Sequence, residues 1–155
     1  MMMENFHKPF LGAEQRHDPT PGLALLGVMT VAELSQNASP AEMRGFALAI
    51  GRRFAALESL ADDTCIAALS ARINTFWSTL DWGEAEIVLE NDGIIVRHRH
   101  APREIPGGAH TQWPQILLAV LEGAYDSWFR QLGSGPSLKT VAEWKGDMVE
   151  LRHGR

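Results

Sequence analysis

The sequence predicts an α+β fold, with helices packed on a four-stranded antiparallel sheet made of two hairpins, in the order ααα-ββ-α-ββ. Three observations carry this expectation. Apolar residues recur at three- and four-residue steps through the first half and again from Trp113 to Leu132. Two strand-like segments flank Asn91-Asp92-Gly93, and a second such pair flanks Lys145-Gly146. A sheet covered by helices on one face is the natural way to bury both periods at once.

Residues 1–19 read as a flexible polar tail, because Pro9 and Pro19 discourage helix and little there is apolar. Residues 20–155 then form one α+β domain. Thr20-Pro21 opens the first helix, with the threonine as cap, and the segment fades near Gln36-Asn37. Leu23, Leu26, Val31 and Leu34 dominate its apolar side. Ser39-Pro40-Ala41-Glu42 is a capping box that starts the second helix, whose stripe is Met43, Phe46, Ala47, Ile50 and Phe54. Asp62 or Asp63 caps a third helix, with Ile66, Leu69, Ile73, Phe76 or Trp77, and Leu80 inward. Asp81-Trp82-Gly83 ends it, the glycine being free to turn left-handed.

The first hairpin joins Glu84–Glu90 to Ile94–His100. A two-residue loop, on Asn91-Asp92 or Asp92-Gly93, sets Ala85, Ile87 and Leu89 beside Val96 and His98. It leaves Glu86, with Glu84 or Val88, facing Arg97 and Arg99, in cross-strand pairs worth about 0.2–1 kcal/mol each. A loop over 101–112, rich in proline and glycine, leads to the long fourth helix. There Trp113, Ile116, Leu117, Val120, Leu121, Ala124 and Trp128 share one face, with Gly123 in their midst. A mid-helix glycine costs roughly 1 kcal/mol relative to alanine, which points to a closely approaching backbone. Gly133-Ser-Gly-Pro136 ends the helix, and Ser137–Trp144 with Asp147–His153 forms the closing hairpin.

At 155 residues, with 45% hydrophobic and 21% charged residues, the chain is long enough to bury a core without staples. Its net charge of −5 and lack of a basic stripe argue against nucleic acid as a partner. Cys65 is the single cysteine, which excludes an intrachain disulfide; its place in a helix candidate suggests a small buried apolar residue. The first residues carry charges without an apolar run, and no segment reaches the ~20 apolar residues of a membrane span, so the expected compartment is the cytoplasm.

No catalytic set is apparent, and neither a metal nor another cofactor is expected. His98 and His100 sit two residues apart on one strand, but no third ligand has a recommending spacing. Asp62-Asp63 fits a helix start better than acid–base work. Glu84, Glu86 and Glu90 read as the solvated face of a strand. Neither Gly107-Gly108 nor Gly133-Ser-Gly fits a phosphate loop or a nucleophile elbow, and no nucleophile has an identifiable base. Among the five tryptophans, Trp77, Trp113 and Trp128 belong to helix stripes and hence to the core, whereas Tyr125 is a freer aromatic of the kind interfaces favour.

With this order in hand, the chain resembles the BcsD family, an accessory component of bacterial cellulose synthase complexes. Three segments carry the resemblance: Gly51-Arg-Arg-Phe54, Ile73 through Leu80-Asp81-Trp82-Gly83, and Leu121-Glu122-Gly123-Ala124-Tyr125 with Trp128. It covers Leu23 to Arg152. The resemblance implies a non-catalytic accessory subunit that supports cellulose export and crystallinity. It also implies a homo-octameric ring built from dimers, and docking to other proteins of the cellulose operon, including a proline-rich partner. Glucan chains are a further implied contact, although the tail departs from the family pattern and none is carried onto it. Without a leader, an organising scaffold beside the inner-membrane synthase is favoured over a device threading secreted glucan.

Leu121, Glu122, Gly123, Tyr125 and Trp128 are the expected subunit interface, with Gly123 letting two copies of the fourth helix approach. The alternative is a small-molecule-binding regulatory domain with a pocket between helices and sheet.

Overall fold

The computed structural model describes residues 17–60, 65–107 and 112–155. Most of the expected tail, Asp62, Asp63 and Gly108 lie outside them. The elements follow the expected order: α1 (Thr20–Asn37), α2 (Pro40–Ala56), α3 (Ile66–Thr79), β1 (Glu84–Glu90), β2 (Gly93–Arg99), α4 (Trp113–Gln131), β3 (Lys139–Lys145) and β4 (Met148–Gly154). The sheet is wholly antiparallel, in the order β1-β2-β4-β3.

The first hairpin closes on Glu90 and Gly93, so Asn91-Asp92 is its two-residue loop. Ala85 then faces His98, Ile87 faces Val96 and Glu86 faces Arg97, as the hydrophobic pattern demands. Both arginines reach Glu86, Arg97 at 3.5 Å and Arg99 at 3.8 Å, and Glu84 makes no ion pair among the described residues. The second hairpin is one residue later than expected. It closes on Lys145 and Met148 around Gly146-Asp147, because Gly146 takes the positive φ (66°) of the turn. β4 rather than β3 joins β2. Its Val149, Leu151 and His153 are buried, whereas β3 alternates with exposed Lys139, Val141, Glu143 and Lys145.

α4 runs through the middle of the molecule. Ile116 to Tyr125 are buried without interruption, together with Trp128 and Phe129. A helix buried all round needs cover on two sides. The sheet and α3 supply one, with Leu69, Ile73, Trp77, Val96, Val149 and Leu151 in the larger core. α2 supplies the other, through Met43 and Ala47 against Ile116, Ala119 and Val120. The arrangement is therefore sheet, α4, then α2, with a core on either side of α4.

Helix starts depart from expectation at two places. Thr20 is already helical, with Pro19 in the cap position, and the Asp18 carboxylate accepts the Thr20 N–H at 2.9 Å. α3 begins after Cys65, which is an exposed cap residue with extended backbone, not a buried helical one. The capping box of α2 forms as read: Glu42 N–H donates to Ser39 Oγ, and Ser39 N–H to Glu42 Oε2 at 2.7 Å.

Candidate functional site

The expected interface stripe is the natural starting point, and the structure places it inside the protomer. Leu121, Glu122, Gly123, Tyr125 and Trp128 are all buried. The backbone that approaches Gly123 belongs to α2 of the same chain. A Cβ on Gly123 would overlap the carbonyl of Leu48, and one on Gly51 would overlap the carbonyl of Val120. The two glycines thus face each other's helix, and the buried face of α2 is the small-residue stripe Ala47, Gly51 and Ala55 below Met43. Phe46, expected in that stripe, is 46% exposed instead. The sequence signal was the four-residue spacing of small residues, which permits close helix approach.

Glu122 is buried because three elements use it. Its Oε1 accepts from Arg44 of α2 at 2.5 Å, and its Oε2 accepts the Ala142 N–H of β3 at 3.2 Å. The carboxylate ties α2, α4 and the edge of the sheet together. It is a structural ion pair rather than an acid awaiting substrate.

Tyr125 lies at the hub of an aromatic cluster. Its hydroxyl accepts from Trp77 Nε1 at 2.9 Å and donates to His98 Nδ1 at 2.8 Å. The direction follows from the other ring nitrogen, because His98 Nε2 lies 2.6 Å from the Trp82 carbonyl and must carry the proton. Every group in the chain Trp77–Tyr125–His98–Trp82 is thereby satisfied with a neutral imidazole. Burial pushes the His98 pKa down to about 4 and raises that of Tyr125. With both nitrogens engaged, His98 offers no metal a lone pair, and His100 lies past the strand at a φ of 60°. Among the described residues no three His, Cys, Asp or Glu side chains gather as a cation site.

One nucleophile does meet a base, which sequence reasoning missed. Ser134 Oγ is 2.5 Å from His153 Nε2, and His153 Nδ1 is 2.8 Å from Thr140 Oγ1, whose hydroxyl donates to Asp126 at 2.8 Å. Partners so far apart in sequence carry no spacing signal. The chemistry of acyl transfer still lacks a part here: the Ser134 amide, an obvious oxyanion donor, is spent on the Phe129 carbonyl. Arg130 pairs with Asp126 at 2.8 Å and also donates to the Leu138 carbonyl, so the chain of bonds fastens the α4–β3 connection to β4.

The tryptophans are likewise occupied. Trp77 and Trp128 are buried, and Trp128 Nε1 donates to the carbonyls of Ala55 and Glu58. Trp113 and Trp144, half-buried, donate to the carbonyls of Pro102 and Pro114. Trp144 also lies under the Arg103 guanidinium, 4.6 Å from its ring centre.

The surface that stands out is α1. It has one ionisable side chain, Glu33, in 18 residues, and only Val28 is buried. Leu23 and Leu26 are each 63% exposed, and Leu25, Met29 and Leu34 are exposed as well. Between α1 and the body runs an apolar groove of about 460 Å³, lined chiefly by Leu23, Leu26, Phe46, Ile50, Trp82 and Trp113. Gly27 lines it too, and a Cβ there would meet nothing within 4 Å among the described residues. Gly123 is explained by its neighbour; Gly27 has none among the described residues.

A family model for the D component of cellulose synthase (Cellsynth_D) matches residues 22–154. No curated protein matches the chain.

Proposed function

We propose a function from one premise: the chain belongs to the Cellsynth_D family of cellulose synthase components. It acts as a non-catalytic accessory subunit of the bacterial cellulose synthase complex. Copies assemble into a ring, built from dimers, that organises synthases and supports cellulose export and crystallinity. Docking to other components of the complex, in the cytoplasm beside the inner membrane, completes the role. Among the described residues no helix is long and apolar enough to cross a membrane.

The observation that carries self-assembly is the uncovered α1. From Leu23 to Met29 α1 is apolar on all sides, a pattern that belongs in an interior, and exposing leucines at this density costs roughly 25 cal/mol per Å² of apolar surface. A second copy is the fitting cover. The groove beside α1 is open along the helix, and Gly27 allows a backbone to come close. The same groove would accept an apolar small molecule in the regulatory reading, but a pocket with an exposed helix for a wall encloses little.

The interface therefore moves from α4 to α1 and the Phe46 side of α2. A stable dimer buries about 1,200–2,000 Å², and the flank of α2 at Phe46 and Ile50, which lines the same groove, adds to the surface of α1. Replacing Leu23 and Leu26 together by lysine should yield smaller species in multi-angle light scattering with an unchanged circular dichroism spectrum. Unchanged mass in that variant would remove α1 from the interface.

A further inference from the structure

We infer that the outer edge of β1 is a docking edge for an extended basic segment of a partner protein, added as a fifth strand. β1 ends the sheet. At its start the edge is closed by a side chain that imitates a strand: Asn74 accepts the Ala85 N–H at 2.7 Å and donates to the Ala85 carbonyl at 2.9 Å. That pair fixes the parity. Ala85 turns its backbone groups away from β2, so Ile87 and Leu89, at steps of two, turn theirs outward as well. Among the described residues nothing takes those groups. At the opposite edge, by contrast, Glu122 occupies the Ala142 N–H.

The side chains say what would fit. Leu89 lies on the helix-covered side of the sheet yet is 62% exposed, beyond the reach of the helices. Glu84, Glu86 and Glu90 line the other side, and neither Glu84 nor Glu90 makes an ion pair among the described residues. A second copy of β1 is a poor occupant. Antiparallel pairing centred on Ile87 sets Glu84 against Glu90, centring on Val88 sets Glu86 against Glu90, and centring on Leu89 sets Glu86 against Asp92. Like charges directly opposite are destabilising in each register. A strand with Lys or Arg across from Glu86 and Glu90, and apolar residues across from Ile87, Val88 and Leu89, pairs without conflict. Strand addition of this kind takes its affinity from main-chain bonds and its specificity from alternate side chains.

The test uses the full chain and two peptides, acetyl-Lys-Lys-Val-Val-Val-Lys-Lys-amide and its counterpart with Glu for Lys, with amide hydrogen exchange read residue by residue. The lysine peptide should slow exchange at Ile87 and Leu89, and its apparent affinity should exceed that of the glutamate peptide by about tenfold. Glu84→Lys with Glu90→Lys should reverse the preference. Leu89→Pro, which deletes an outward N–H and leaves the β1–β2 bonds intact, should weaken binding of the lysine peptide. Equal protection by both peptides, or protection elsewhere only, would overturn the inference. So would edge amides already protected in a concentration-dependent way without peptide, since the occupant would then be another copy. The edge is separate from α1, so a variant with lysine at positions 23 and 26 keeps it, and the two proposals fail independently.

Discussion

At the scale of single residues, His98 gives the sharpest expectation. Its folded pKa is about 4 against 6.5 for an unburied imidazole, so the native state refuses a proton that the unfolded chain accepts. Above pH 6.5 the contribution is complete. As pH falls toward 4, stability should drop by up to about 1.4 kcal/mol per pH unit, to a total near ~3 kcal/mol. A ring titrating near 6.5 by NMR would contradict this. Tyr125→Phe should cost about 1–3 kcal/mol in urea unfolding, because it strands Trp77 Nε1 and His98 Nδ1 without partners. Sequence reasoning placed Tyr125 at the surface because one helix face seemed to account for all the burial. It missed that α4 is covered on two sides, which only the path of α2 decides.

Among the elements, helix order, the capping box, the two-residue loop and the strand faces of the first hairpin were legible, since each rests on local chemistry or on period. Ser39→Ala should cost about 1 kcal/mol through the lost cap, read as a shift in urea midpoint. Gly123 was legible as a residue that needs a close backbone; the identity of that backbone was not, because a glycine does not name its neighbour. Substitution tells the glycines apart. Gly51→Ala and Gly123→Ala should each destabilise by about 1–3 kcal/mol, overpacking outweighing the roughly 1 kcal/mol gain in helix propensity. Gly27→Ala should leave the protomer no less stable, for its Cβ meets nothing within 4 Å among the described residues. A cost at Gly27 in the isolated protomer would show an intrachain contact instead. The start of α3 was misplaced because two adjacent aspartates look like a cap, while the helix begins after Cys65. The joining of β4 to β2 had no local signal either. Two hairpins can meet by any outer strand, and the choice falls to the one whose Val149, Leu151 and His153 can be buried.

For the whole molecule, the apolar surface is unevenly spent. The middle of α4, Ile116 to Tyr125, is enclosed within the protomer, whereas α1 is left with exposed leucines. The sequence expectation of self-association therefore survives as a proposal with a different surface, and family membership gives it a setting in cellulose synthesis. The measurement that bears most directly on it is the native mass of the wild-type chain across a dilution series. The account expects species at multiples of the 17.1 kDa protomer that give way to the protomer on dilution, and earlier when leucines 23 and 26 are replaced. A lone 17.1 kDa species at every concentration would contradict it.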